Sequence, residues 1–234
     1  MRVLCVETLQ FKEFHSLPDD DYATLSHVWG SNEISYEDIS RTTLPVPVPI
    51  EHKHEASAKL IGCREQARKD GIKYLWIDTC CINQPNHSEL SEAINSMFHW
   101  YQKSKVCYVY LADIGVGDDL AASRWFLRGW TLQELIAPQD VRFFNQDWQP
   151  IGNKKDLALT LSKITRIPQD FLMGRDLEEA SIAQRMSWAS KRETSKEEDL
   201  AYCLFGIFDI QMPLLYGERL HAAFRRLQLE ILQH

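Results

Sequence analysis

Glu134 lies in the run SRWFLRGWTLQELIAP, residues 123–138. The spacing predicts one amphipathic helix over 124–138, stopped by Pro138. On it Leu127, Trp130, Glu134 and Ala137 recur at helical intervals and share a face. A carboxyl on an apolar stripe loses hydration. Its pKa rises, which suits it to acid–base or charge-stabilising work. The same spacing fits a plainer role, at the rim or as ion-pair partner of Arg128 or Arg124. Asp78 ends the apolar run KYLWID, where a carboxylate is costly unless paired. It either binds a polar ligand or caps the following loop. Cys80-Cys81 would need His27 or His87 beside a thiol to make a nucleophilic dyad, and buried inert cysteine is the commoner case. Trp29 and Trp130 are either stacking walls or core. Arg128 holds a phosphate or pairs with Glu134. His52-x-His54 offers two metal ligands, which is too few.

These residues need elements to bring them together. Short apolar runs at 3–6, 22–26, 73–78, 106–112 and 141–145 read as strands. VCYVYLA at 106–112 is apolar throughout and predicts a strand buried on both faces. Helical periodicity occupies 53–69, ended by Gly71, and 88–103. Residues 32–49, which include LPVPVPI, read as irregular, because three prolines exclude a central strand or a helix. The alternation predicts an α/β domain, a parallel sheet flanked by helices, over 1–150. The strand at 22–26 should be central. Ligands bind such sheets beyond the carboxyl ends of the strands, where strand order reverses. Ser26, His27, Trp29 and Gly30 follow one strand, Asp78, Cys81 and Gln84 a second, and Asp113 a third.

After residue 150 the pattern becomes helical, at 154–165, 178–190, 195–208 and 219–233. This predicts a helical C-terminal extension of the same domain, over 151–234. Ser195-x-x-Glu198 reads as a capping box, with Thr194-x-x-Glu197 competing for the same role, and the last helix carries Leu220, Phe224, Leu227 and Ile231 on one face. That helix runs to His234 without a stop signal, so a longer protein is expected to continue beyond it.

Net charge of −7 carries no electrostatic footprint of a nucleic-acid binder. No apolar run approaches a membrane span, and the N-terminus has no secretory signal. Six scattered cysteines without a CxxC support neither a zinc knuckle nor a thioredoxin motif. A reducing, cytoplasmic setting is expected. No phosphate loop of the G-x-x-x-x-G-K-[ST] type is present.

Four segments carry a resemblance: YATLSHVWG at 22–30, YLWIDTCCINQ at 74–84, RGWTLQELIAP at 128–138, and WASKRETSKEEDLAYCLFGIFDIQMPLLYGE at 188–218. In this order they resemble the fungal heterokaryon-incompatibility (HET) domain over nearly the whole chain. Asn83 stands where that family's motif commonly has an acid. The resemblance implies programmed cell death after non-self recognition. It also implies a place at the N-terminus of a larger protein with a nucleotide-binding STAND module and WD-type repeats, which are expected partners along with a non-self trigger and further copies of the chain.

A remoter similarity is to the TIR domain, in which a helix after a hydrophobic strand bears a catalytic Glu. It implies a TIR- or flavodoxin-like sheet and cleavage of the nicotinamide–ribose bond of NAD, as substrate rather than tightly bound cofactor. Carried over by position, Glu134 would be the catalytic carboxylate, with 26–30 and 80–88 as the loops beside it. The binding set is then Ser26, His27, Trp29, Gly30, Asp78, Cys81, Gln84, Arg128 and Trp130, with no metal. Two other classes fit the same chain: a cysteine-dependent hydrolase, and a non-enzymatic module that signals death by self-association.

Overall fold

The computed structural model describes residues 1–18, 21–42 and 53–233. LPVPVPI, His52 and the side chain of His54 lie outside the described residues.

Seven strands form one mixed sheet: β1 (Arg2–Cys5), β2 (Phe11–Glu13), β3 (Tyr22–His27), β4 (Tyr74–Trp76), β5 (Val106–Tyr110), β6 (Val141–Phe144) and β7 (Pro150–Asn153). Their order is β2-β1-β4-β3-β5-β6-β7. β4, β3, β5 and β6 run parallel, and antiparallel strands close both edges. Counted among themselves the parallel strands read 2-1-3-4, which begins the flavodoxin-like order. β3 is the middle strand of the seven, and all its residues are buried, as are all those of β5. Strands covered on both faces must be apolar or hydrogen-bonded throughout. Thr24 and Ser26 meet that condition through their hydroxyls, Thr24 toward Ser104 and Ser26 toward Glu134.

The helices His54–Lys69 and His87–Lys103 fall within a residue of expectation. Gly71 adopts φ +68° just after the first, a left-handed conformation that costs glycine little. Several expectations change. Residues 32–42 contain a short helix, Tyr36–Ser40, with a Ser35–Asp38 capping box. The loop expected after β4 begins with one helical turn, Asp78–Cys81. The single helix expected over 124–138 is broken. A 3-10 turn spans Arg124–Leu127, Arg128 is extended, and an α-helix covers only Thr131–Ile136.

The break has a backbone cause. The Glu193 N–H donates to Leu127 O at 2.6 Å, and the Gly129 N–H donates to Glu193 O at 2.9 Å. Residues 127–129 therefore pair with the C-terminal segment instead of continuing a helix. Leu127 ends 47% exposed, off the face that buries Glu134 and Ala137.

The C-terminal third is helical, and β7 joins the sheet at its start. The helix expected over 195–208 is two short ones, Asp199–Tyr202 and Phe205–Phe208. The expected Ser195–Glu198 capping box does not form. The Glu198 carboxylate instead accepts from the N–H groups of Gly217 (2.8 Å) and Arg219 (3.2 Å), donors at the start of the last helix, Arg219–Gln233. On that helix Leu227 is buried, and Phe224 and Ile231 pack partly buried against the core. Gly206 lets the Phe205–Phe208 helix close on His87–Lys103: a Cβ there would lie 2.1 Å from the Phe98 Cβ.

Candidate active site

β3 and the Thr131–Ile136 helix meet at the carboxyl end of the sheet. Ser26 donates a short hydrogen bond to Glu134 Oε2. Its Oγ in turn accepts from Trp125 Nε1 at 2.8 Å. The indole leaves Ser26 one direction in which to donate, so it fixes the carboxyl. Glu134 is only 4% exposed. Among the described residues it forms no ion pair, so neither pairing suggested by its sequence neighbours is made. Burial pushes its pKa up to about 8, and the charge of Asp78 adds to the rise. The Ser26 bond and the charges of Arg192 and Arg128 act the other way without cancelling it. Glu134 is therefore mostly protonated at neutral pH.

Asp78 stands just past β4. Its Oδ2 accepts from Trp29 Nε1 at 2.8 Å and its Oδ1 from the Thr79 N–H at 2.8 Å, so it partly caps the turn that follows. Burial raises its pKa to about 6, against the pull of these donors. His27 Nε2 lies 3.3 Å from Asp78 Oδ1. The approach is off-line for a hydrogen bond, and both ring nitrogens are unpartnered among the described residues. Burial, then the Lys59 charge, holds the His27 pKa well below 6.5, so the ring is neutral. Near pH 7 Glu134 is thus mostly protonated, Asp78 mostly ionised and His27 a neutral imidazole. Carboxyls whose environments separate their pKa values are a pattern of acid–base sites.

These groups line a cleft of about 200 Å³. Its apolar wall includes Trp76, Ile82, Leu90, Ile94 and Met97. Its polar lining includes His27, Asp78, Gln84 and Glu134. Trp29, 48% exposed, stands at its mouth. Arg128 and Trp130 also line it, with the Trp130 indole donating to Asp199 Oδ2 at 3.3 Å.

The cleft brings together His27, Trp29, Asp78, Gln84, Arg128, Trp130 and Glu134, with Ser26 beneath Glu134. It does not gather Gly30 or Cys81. The Gly30 N–H donates to Glu33 Oε1 at 2.5 Å. The Cys81 thiol is buried in its own turn, near the Ile77 N–H (3.4 Å) and Leu75 O (3.8 Å). Cys80 is likewise buried, its pKa driven well above 9 by the neighbouring Cys81 thiol and by burial. Asp113 accepts from Ser123 Oγ and the Arg124 N–H, both at 2.7 Å, and so anchors the 3-10 turn.

Sequence reasoning missed the far wall, made by Ser195, Lys196, Asp199 and Tyr216. It also missed Arg192, which is buried and donates to Arg128 O (2.7 Å) and Thr131 Oγ1 (2.8 Å). Burial lowers its pKa to about 10, so it stays charged at neutral pH. Distance in sequence hid these residues; the signal available was the density of polar and aromatic residues in 188–218. Among the described residues no group of three or more His, Cys, Asp or Glu could hold a metal ion.

Residues 22–119 match the family model "Heterokaryon incompatibility protein (HET)". The chain is also 43% identical over 223 residues to the vegetative incompatibility protein HET-E-1 of Podospora anserina, an alignment covering 90% of this chain. The chain carries a HET domain and belongs to the heterokaryon-incompatibility family. It spans 16% of the length of that relative. No solved structure matches it. The family match covers β3, β4 and β5 and ends before the helix of Glu134. The alignment with HET-E-1 takes in most of the C-terminal wall of this HET domain as well.

Proposed function

We propose that this HET domain is a cell-death effector in vegetative incompatibility and that it kills by hydrolysing NAD. The family and the name of the relative support the first part. One observation carries the second: a carboxyl buried at the carboxyl end of a parallel sheet, in a small cleft with an apolar wall and tryptophans at its edge.

The reaction breaks the bond between ribosyl C1′ and the nicotinamide nitrogen. The electron pair leaves with neutral nicotinamide, positive charge develops on the ribosyl centre, and water adds there to give ADP-ribose and a proton. An ionised Glu134 beside C1′ stabilises that charge, as carboxylates do in glycoside hydrolysis. Burial favours the protonated form, but the cationic nicotinamide ring of bound NAD favours the carboxylate. Binding is thereby linked to loss of the Glu134 proton. Trp29 offers a face for the ring, and Asp78 offers an acceptor for the ribose hydroxyls. Ser26 and Trp125 hold Glu134 still.

The test is nicotinamide release from NAD by the purified protein and its Glu134→Gln variant. The variant should lose about a hundredfold in rate, roughly 3 kcal/mol of transition-state stabilisation, while remaining folded. Equal turnover by both proteins would overturn the assignment. The thiol alternative is disfavoured, because Cys80 and Cys81 face the interior rather than the cleft.

Activity should also depend on assembly. By its resemblance the domain works beside STAND and WD-repeat regions of a longer cytoplasmic protein, which gather copies when a non-self partner is met. Tethered copies associate at a high effective concentration. Among the described residues no helix is long and apolar enough to cross a membrane.

A further inference from the structure

We propose that Arg128 and Lys196 form an anion subsite at the rim of the cleft that takes the diphosphate of a dinucleotide. The inference rests on Glu134 facing the reacting sugar, as above.

The chain has 33 acidic against 26 basic residues, and many of its cations are spent in ion pairs. Arg2, Lys53, Lys59, Arg68, Arg142, Arg175 and Arg226 each hold a carboxylate. Among the described residues Arg128 and Lys196 hold none, yet both line the cleft. Arg128 Nη2 donates to Ser195 Oγ at 3.1 Å, which draws the segment bearing Lys196 to the same rim. The Lys196 ammonium lies 3.5 Å from the centroid of the Tyr216 ring, a contact that holds the charge without neutralising it. Asp199, the acid on this wall, accepts from Trp130 and from the Tyr216 hydroxyl (3.0 Å), so its oxygens point at those donors. Two cations with no direct ion pair among the described residues, one of them also feeling the charges of Asp199 and Glu198, favour an anion there.

The size of the cleft selects the kind of anion. At about 200 Å³ the cleft is smaller than the roughly 300–1,000 Å³ of pockets that enclose a drug-sized ligand, so part of a dinucleotide must lie outside it. With the nicotinamide ribose at Glu134, the diphosphate attached to that ribose must leave by the rim. A planar guanidinium and a compact ammonium suit two adjacent phosphates. The subsite would therefore favour dinucleotides over free nucleosides.

Calorimetric titration with ADP-ribose, and separately with inorganic pyrophosphate, tests this. The wild-type chain should bind both, more weakly as salt rises. Lys196→Met and Arg128→Met should each weaken binding about tenfold, and Lys196→Arg should restore most of it. Lys196 is exposed, so its variants should keep the wild-type unfolding temperature. Absence of binding to the wild type, or wild-type affinity in Lys196→Met, would overturn the subsite. Nicotinamide release from NAD is read in the same preparations. A chain that binds ADP-ribose through Lys196 but leaves NAD intact would keep the subsite and remove the hydrolase reading.

Discussion

Glu134 and Asp78 show how burial, not residue type, sets chemistry. Both are carboxyls, yet one is raised to about 8 and the other to about 6. If ionised Glu134 is the working form, kcat/KM for NAD should rise from pH 6 to about pH 8 and then level off, since kcat/KM reports the free enzyme. A flat profile across that range would exclude Glu134 as the titrating group. The same shift has a consequence for stability. A carboxyl whose folded pKa lies above its unfolded value, near 4.5, favours the folded state most fully below the unfolded pKa. That contribution is lost as pH rises toward 8. Glu134→Gln is neutral at every pH and escapes this loss. The stability of the variant should therefore gain on wild type between pH 5 and pH 8, by up to roughly 1.4 kcal/mol per pH unit, read as a relative rise in unfolding temperature. A constant difference would mean that Glu134 titrates normally. The protonated fraction of Glu134 is what a sequence cannot state, because it depends on the water excluded around it.

At the scale of elements, the break between the 3-10 turn and the Thr131–Ile136 helix positions the site. It turns Arg128 into the cleft rim and lets Thr131 receive Arg192. Gly129 makes the close approach possible. A Cβ there would stand 2.5 Å from Thr194 Cγ2 and 3.1 Å from Cys203 Sγ. Gly129→Ala should cost about 1–3 kcal/mol by overpacking, read as a lowered midpoint in urea. It should also weaken ADP-ribose binding, because the clash pushes 193–195 away from Arg128. The C-terminal end of the same helix is held by Lys154, which is buried and donates to the carbonyls of Leu135 (3.1 Å), Ile136 (3.5 Å) and Pro138. Burial lowers its pKa to about 8. Both ends of the Glu134 helix are thus fixed from the C-terminal part of the chain.

For the molecule as a whole, the helical third completes the site rather than decorating the sheet. Gln133 donates from the buried Thr131–Ile136 helix to Cys203 O at 2.8 Å. Arg192 reaches Arg128 O, and the Asp199–Tyr216 wall closes the cleft. A chain ended after Asn153 would leave the Gln133 donor, the Arg128 carbonyl and a large apolar face uncovered. It should show no cooperative unfolding transition and no ADP-ribose binding; a truncated chain that unfolds cooperatively and binds would make the sheet an independent unit. Assembly gives a further expectation at this scale. NAD turnover per molecule should rise with protein concentration if copies must meet, and invariance over several decades would exclude that requirement.

The residues themselves determined the layered α/β class, the centrality of β3 and the identity of most of the polar residues at the strand ends. Alternation of apolar strands with amphipathic helices is a local, periodic signal, and a parallel sheet puts polar residues at its carboxyl ends as a matter of geometry. Ser26, His27, Asp78 and Gln84 were legible for that reason. Periodicity over 124–138 failed because helix formation there competes with backbone pairing to Glu193, a partner some 65 residues away that no local window contains. Cys81 looked available beside Asp78, but the helical turn Asp78–Cys81 rotates its thiol inward. The far wall, the fixed orientation of Glu134 by Ser26 and Trp125, and the raised pKa values were decided only by the tertiary structure. Each depends on which distant surfaces exclude water from a group, and that is a property of packing, not of neighbours in the chain.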